Sequence, residues 1–171
     1  MPNIETPRLI LRPYIWNDLD WLFDLYSDPL VMRFIGEGRP RNREETIESL
    51  SKMMQHWIRF GFGIYVVQLK ELHQLIGHCG VSCFRDHEQA ELSLTFARSF
   101  WGRGYATESA RAVLEDAWGS LFLNHVIAHA RPGNRASIRV LEKVGMILVG
   151  IEECENEPAV IYRMEKPKDE S

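Results

Sequence analysis

Two spacings of apolar residues divide the chain into helices and strands. Apolar side chains recur every three or four residues in four segments, which predicts amphipathic helices at 17–27, 43–60, 105–118 and 136–144. Shorter runs rich in β-branched and aromatic residues predict strands at 7–14, 64–69, 75–84, 91–97, 125–130, 147–151 and 159–164. This order of about seven strands and about four helices predicts an α+β sandwich around one mixed sheet.

Residues at the helix ends agree with these boundaries. Asn17 is a predicted N-cap, with Asp20 placed as the acid of a capping box. Asn42 and Glu45 repeat the same spacing at the start of the second helix. Gly145 follows the fourth helix and predicts its C-terminal end, because glycine accepts the left-handed conformation common there.

A glycine-rich turn separates a predicted strand from the third helix. Residues 101–107 read Trp-Gly-Arg-Gly-Tyr-Ala-Thr. The glycines let the backbone turn tightly, and the helix that follows presents unpaired N–H groups and the positive end of its dipole. Strand, turn and helix start together predict a phosphate cradle. Taken alone, the same letters also fit an ordinary connection between a strand and a helix.

A second segment, residues 134–146, adds a family resemblance. With it the chain resembles the GCN5-related N-acetyltransferase (GNAT) superfamily, whose acetyl-CoA loop reads [Gln/Arg]-x-x-Gly-x-[Gly/Ala]. Gly104 and Ala106 fill the last two places, and Trp101 replaces the first residue. Trp at that place is a variant found in the ribosomal-protein N-terminal acetyltransferase (RimJ/RimL-type) branch. The chain opening resembles the same branch through Glu5-Thr6-Pro7-Arg8-Leu9-Ile10-Leu11-Arg12-Pro13, Asp18 and Ser27-Asp28-Pro29.

The resemblance implies where acetyl-CoA binds. The fourth and fifth strands are expected to splay apart, and the pantetheine arm takes the place of the missing strand-to-strand hydrogen bonds. The implied pantetheine contacts are the backbone of Leu94, Thr95 and Phe96 and the side chain of Asn134. The implied pyrophosphate contacts are the loop that starts at Trp101, with Gly102, Arg103, Gly104, Tyr105, Ala106 and Thr107. Asn134 also fits an N-cap, and Arg139 either reaches the coenzyme's phosphates or lies in solvent.

The catalytic groups are less clearly marked. Many members of the superfamily place a tyrosine seven residues after the asparagine, but Leu141 stands there and cannot donate a proton. Ser137 is the nearest hydroxyl, and the resemblance implies that it meets the charge on the leaving thiolate; it also fits a purely structural helix start. Glu91 is the first candidate for the base, acting through a water. The alternatives are His78, His87 and His129.

Composition narrows the class of protein. A length of 171 residues with 45% apolar content predicts a single domain over 1–171, with a polar tail at 166–171. No apolar run approaches a membrane span and no basic run suggests nucleic acid, so a cytoplasmic protein is expected. Three cysteines argue against a disulfide framework, and no metal site is predicted. Residues 98–143 carry +3 against −7 for the rest, which fits a polyanionic coenzyme and a cationic acceptor.

The leading hypothesis is an enzyme that transfers acetyl from acetyl-CoA to a primary amine by direct attack. The acceptor remains open between a peptide N-terminus, a polyamine, an amino acid and an aminoglycoside. Loops at 34–43 and 152–158 are expected to select it, and glutamates at 152, 153, 155 and 157 fit either acceptor binding or a solvated turn. A non-catalytic coenzyme-A-binding sensor or scaffold is the alternative. The protein is expected to be a monomer or a homodimer.

Overall fold

The computed structural model describes residues 3–84, 89–154 and 156–168. Two short 3-10 turns lie at Trp16–Asp18 and Arg98–Phe100. The strands are β1 (Ile4–Glu5), β2 (Leu9–Pro13), β3 (Ile64–Leu69), β4 (Leu75–Phe84), β5 (Gln89–Phe96), β6 (His125–Ala130), β7 (Ile147–Cys154) and β8 (Glu157–Glu165). The helices are α1 (Leu19–Ser27), α2 (Pro29–Met32), α3 (Arg43–Phe60), α4 (Tyr105–Gly119) and α5 (Arg135–Lys143).

All eight strands form one mixed sheet, in the order β1-β2-β3-β4-β5-β6-β8-β7. Neighbouring strands run antiparallel, except that β5 and β6 run parallel. The α+β class and the mixed sheet are confirmed. The predicted counts were low by one element each, because the two-residue strand β1 and the single-turn helix α2 are too short to show a period.

Two predicted caps had different outcomes. The Asn42 side chain accepts from the Glu45 N–H at 2.9 Å, and the Glu45 carboxylate accepts from the Asn42 N–H at 2.8 Å, which confirms that capping box. The Asn17 cap is wrong, because the 3-10 turn already begins after Ile15. Asp18, at the third position of that turn, accepts from the Ile15 N–H with its buried carboxylate and forms a two-pronged ion pair with Arg12.

The sheet is covered on both faces because successive side chains of a strand point to opposite sides. On β3, Tyr65 and Val67 pack into the cluster with α4 and α5, whereas Ile64 and Val66 pack into the cluster with α1 and α3. Each face therefore has its own apolar core. Within the described residues, no helix has the length and apolarity needed to cross a membrane.

Candidate functional site

The site begins where the sheet parts between β5 and β6. These parallel strands share a single aligned pair, Glu91 with Ile127, near the start of β5. On its other side β5 pairs with β4 along its whole length. The later part of β5 therefore has a paired edge toward β4 and an edge toward β6 that no strand pairs with, which agrees with the expected splay.

Backbone groups of β5 alternate between these two edges. The Ala97 N–H donates to the Ile76 carbonyl on β4, so Thr95 also faces β4, and Leu94 and Phe96 face the gap. The Phe96 carbonyl accepts a hydrogen bond from the Trp101 indole at 2.7 Å. The groups that face the gap are therefore the Leu94 backbone and the Phe96 N–H, whereas the Thr95 backbone faces β4.

The glycine turn has the geometry that was predicted from its letters. Gly102 and Gly104 adopt φ of 73° and 81°, the left-handed region where a side chain is strained. Helix α4 starts at Tyr105, so the N–H groups of its first turn have no partner within the helix. Trp101 is half exposed, and its indole hydrogen bond to Phe96 joins the turn to the end of β5. The turn is thus a helix start suited to a phosphate group.

An arginine from the chain's opening holds this turn from the side. Arg8 Nε donates to Glu108 Oε2 at 2.6 Å, and its Nη1 donates to the Arg103 carbonyl at 3.0 Å. The Thr6 hydroxyl donates to Glu108 Oε1 at 2.6 Å. Burial opposes ionisation of Glu108, but the hydrogen bonds from Thr6 and Arg8 outweigh it and lower the pKa of that carboxyl. Sequence analysis missed this contact, although the opening motif contains both Thr6 and Arg8.

Helix α5 supplies the opposite wall. The Asn134 side chain accepts from the Ser137 N–H at 3.2 Å, so Asn134 is the N-cap of α5. Ser137 and Leu141 both line the cavity, and Leu141 is buried. Arg139 lies exposed on the same helix and is not part of the cavity wall.

A cavity of about 320 Å³ fills the space between these elements. The loop before α3 closes one side with Phe34, Ile35, Gly36 and Arg41. The end of β7 adds Cys154, so both segments expected to select the acceptor, 34–43 and 152–158, contribute to the cavity. Its remaining lining residues are Glu91, Leu92, Ser93, Leu94, Thr95, Ala128, His129, Ala130, Arg131, Asn134, Ser137, Leu141 and Ala159.

Three ionisable side chains meet at the start of β5. His129 Nδ1 lies 2.8 Å from Glu91 Oε1, and its Nε2 lies 2.7 Å from Glu152 Oε1. The hydrogen bond with Glu91 raises the pKa of His129, burial opposes the rise, and Glu152 adds to it. A carboxylate only accepts, so a ring placed between two of them is held as an imidazolium that donates from both nitrogens.

The other histidine candidates do not join this group. His78 lies under the opposite core, 2.8 Å from the Tyr14 hydroxyl, and burial with the nearby charge of Arg41 lowers its pKa to about 3. It is therefore a neutral, buried ring at physiological pH. His87 and Glu155 lie outside the described residues. Glu91 and His129 were each predicted as candidates from the sequence. Their contact depends on the register of two parallel strands that are neighbours in the sheet but far apart along the chain.

Comparison with known proteins agrees with this architecture. The family model described as an acetyltransferase (GNAT) domain matches residues 8–147. The uncharacterized protein YkkB of Bacillus subtilis is 31% identical over 163 residues, which cover 94% of each chain.

Solved structures extend the comparison to the whole fold. A GNAT-family acetyltransferase from Bacillus anthracis superposes with a TM-score of 0.84 at 28% identity, covering 96% of this chain and 99% of that one. RimL, a ribosomal L7/L12 α-N-protein acetyltransferase solved with coenzyme A, shares the fold with a TM-score of 0.82, at 16% identity and over 96% and 98% of the two chains. The predicted family is confirmed. The chain belongs to the GNAT family of acetyltransferase enzymes.

Proposed function

We propose that this enzyme transfers an acetyl group from acetyl-CoA to a primary amine by direct attack in the cavity between β5, β6 and α5. The observation that carries the proposal is the gap between β5 and β6, because a backbone edge and an ionisable cluster line one cavity there, and the end of β5 is joined to the turn suited to a phosphate. A plain structural connection between strand and helix would need none of the three.

The residues around the gap fit acetyl-CoA. Leu94 and the Phe96 N–H offer hydrogen bonds to pantetheine amides. The turn at Gly102 and Gly104 offers N–H groups to the pyrophosphate. Because both residues are glycines, no side chain blocks the approach of the ligand. Thr107 lies in the first turn of α4 and adds a hydroxyl near the same N–H groups. When bound, the coenzyme supplies the activated thioester.

Acetyl transfer also develops negative charge on two atoms of the coenzyme, the oxygen of the thioester carbonyl and the departing sulfur. The N–H groups at the gap edge of β5 are placed to polarise the thioester carbonyl, as backbone donors do in other acyl-transfer sites. Ser137 is the cavity hydroxyl on α5, and we assign it to the charge on the departing sulfur. Its N–H is already held by Asn134, which fixes the helix start while leaving the hydroxyl to the cavity.

The acceptor side has to remove a proton from the amine. His129, held as an imidazolium, has no lone pair and is not the base in that state. Glu91 gives one oxygen to His129, and among the described residues no group donates to its other oxygen, Oε2. We therefore assign proton removal to Glu91, through a water, and assign His129 and Glu152 to holding it in place.

The test is a steady-state assay that follows coenzyme A release from acetyl-CoA with a panel of amines. The panel contains free amino acids, N-terminal peptides, spermidine and an aminoglycoside. We expect turnover with at least one class, in a reaction that forms one amide per thiol released. Binding of acetyl-CoA, seen as a rise in Tm, without turnover of any amine would instead support the non-catalytic sensor.

A further inference from the structure

We propose that the acceptor carries a carboxylate as well as the amine, and that Arg41 binds that carboxylate. This inference rests on the proposed acetyl transfer and narrows its substrate class. It begins from an arginine that lines the cavity and that the proposed reaction leaves without a role. The residues around Arg41 indicate the charge of the ligand group that it can bind.

Arg41 is held in one place by neutral neighbours. Its guanidinium carbon lies 4.7 Å from the centre of the Tyr26 ring, and its Nη1 donates to the Ser49 hydroxyl at 3.0 Å. Its own N–H donates to the Tyr26 carbonyl at 2.9 Å. The side chain is half-buried at the cavity wall. An arginine fixed by stacking loses little further entropy when its planar fork binds a carboxylate.

Nearby carboxylates are already engaged elsewhere. Glu37 and Glu45 both accept from Arg39, and Glu48 pairs with Lys52. Within the part of the chain that the structure describes, no carboxylate forms an ion pair with Arg41, although Glu45 is near enough for the charge of Arg41 to help lower the pKa of that carboxyl. A half-buried guanidinium without an acid is costly in isolation, so this position favours an anion supplied by a ligand.

The charges around the cavity fit an amine that also bears an acid. Glu91 lines the cavity at the place where the amine is proposed to lose its proton, and it is an acid. Arg131 pairs with Glu157, whereas no ion pair of Arg41 is found among the described residues. Glu91 and Arg41 thus give the wall an acidic and a basic group, as a zwitterionic acceptor requires. A polyamine would instead place a second cation near a guanidinium.

Gly36 keeps Arg41 close to the cavity. A Cβ atom at Gly36 would lie 3.3 Å from Arg41 Nη2, and the glycine has a φ of 53°. Its carbonyl accepts from Arg131 Nη2. Both guanidinium groups therefore lie beside Gly36, and the absence of a side chain at this residue leaves space for Arg41.

The experiment compares matched acceptors that differ only in charge. Glycine and the L-amino acids that have a primary amine are each assayed as the free acid and as the carboxamide, with spermidine as a polycation. A second arm uses alanyl-glutamate and alanyl-glutamine, both amidated at the C-terminus, to separate a free amino acid from an acidic peptide. The amine of the carboxamide is less basic, so a larger fraction of it is in the neutral form that attacks. This difference favours the carboxamide, so it cannot produce the expected preference for the free acid.

We expect the enzyme to acetylate at least one free acid with a kcat/KM about ten- to a hundred-fold above its carboxamide, the value of one well-formed guanidinium–carboxylate contact. Arg41→Gln removes that preference, because it lowers kcat/KM for the acid far more than for the carboxamide. Arg43→Gln is the matched control, since Arg43 is an exposed arginine in the same segment that pairs with Asp20. It keeps the preference.

The failures of the two proposals differ. Turnover of carboxamides or spermidine at or above the acids, or an equal loss on both acceptors in Arg41→Gln, overturns the carboxylate proposal and leaves acetyl transfer intact. If no amine is turned over, the same panel is scored by the Tm of the protein saturated with coenzyme A. Stabilisation by an acid, but not by its carboxamide, that is absent in Arg41→Gln then supports the carboxylate site, and no such difference rejects it.

Discussion

The two sides of the proposed site differ in the parts of the chain that would bind a ligand. The proposed coenzyme side consists mainly of backbone: the gap edge of β5, the turn at Gly102 and Gly104, and the start of α4. The proposed acceptor side consists of charged side chains, with Glu91, His129 and Glu152 in one cluster and Arg41 elsewhere on the cavity wall.

This difference matters for how each side tolerates change. A backbone site depends on the conformation of a few residues, so it is lost when one of them cannot adopt the required φ. A side-chain site depends on charge and spacing, so a single isosteric change removes one chemical property and leaves the shape. Substitutions on the two sides should therefore separate coenzyme binding from chemistry, and the predictions below test that separation.

The largest effect is expected from Gly104→Val. Valine resists a φ of 81°, and its branched Cβ would lie in the turn that we assign to the pyrophosphate, about 3.4 Å from Arg8 Nη2. Acetyl-CoA should then give almost no rise in Tm, and turnover should be lost with it. Differential scanning fluorimetry with and without acetyl-CoA measures the first, and thiol release measures the second.

The control for this substitution lies at the other end of the same helix. At Gly119 a Cβ would meet no atom within 4 Å, and the backbone there is not left-handed. Gly119→Val should keep the full coenzyme-induced rise in Tm. A normal rise in Gly104→Val would contradict the assignment of the turn to the pyrophosphate.

The contrast between the two sides also explains what the sequence predicted well. The glycine turn is local, so its letters predicted a tight turn followed by a helix start, and Gly102 and Gly104 form that turn in the left-handed conformation. The Asn42 and Glu45 capping box is equally local and was confirmed. The pairing of Glu91 with His129 was not predicted, because it depends on which residues of two parallel strands lie side by side. The contact between Arg8 and Glu108 was also not predicted, because the two residues are 100 positions apart and meet only in the folded chain.

The next largest effect is expected on the acceptor side, from Glu91→Gln. Glutamine keeps the shape but cannot take a proton, so turnover should fall about a hundred- to ten-thousand-fold, the range for removing a general base. The rise in Tm with acetyl-CoA should persist, since the coenzyme side is intact. Loss of the Glu91 charge should also lower the pKa of His129, which NMR titration of the ring detects.

Glu115→Gln serves as the control, because Glu115 is an exposed glutamate on α4, away from the cavity wall. It should leave turnover and the His129 titration as in the unmodified enzyme. If Glu91→Gln retains full turnover at every pH, Glu91 only positions His129, and the base has to be sought elsewhere in the cavity.

Ser137→Ala tests whether the coenzyme side also takes part in the chemistry. The hydroxyl is assigned to charge that grows on sulfur only as the thioester breaks, so its loss should lower kcat and leave acetyl-CoA affinity nearly unchanged. A fall of about ten- to a thousand-fold is expected, as for removal of one oxyanion donor. Tm without ligand should drop only slightly, since the Asn134 side chain can still accept from the backbone N–H of residue 137. An unchanged kcat would make Ser137 structural.

The smallest effect concerns the pH dependence of stability, which should differ in sign between two histidines. Contact with Glu91 raises the pKa of His129 above its ordinary 6.5, whereas burial lowers the pKa of His78 to about 3. Each is replaced by glutamine, and Tm is measured from pH 5 to pH 9. For a chain of this length, each kcal/mol corresponds to about 2–4 °C.

The two signs follow from which state binds the proton more tightly. The folded protein holds the His129 proton better than the unfolded chain does, so its contribution is complete below pH 6.5 and is lost as pH rises through the raised pKa. His129→Gln should therefore cost most at low pH. Folding expels the proton of His78, so its contribution is complete above pH 6.5 and declines as pH falls toward 3. His78→Gln should cost most at high pH. Parallel curves for the two variants would contradict the charged state assigned to His129, and with it the separation between a structural histidine and one that belongs to the acceptor side.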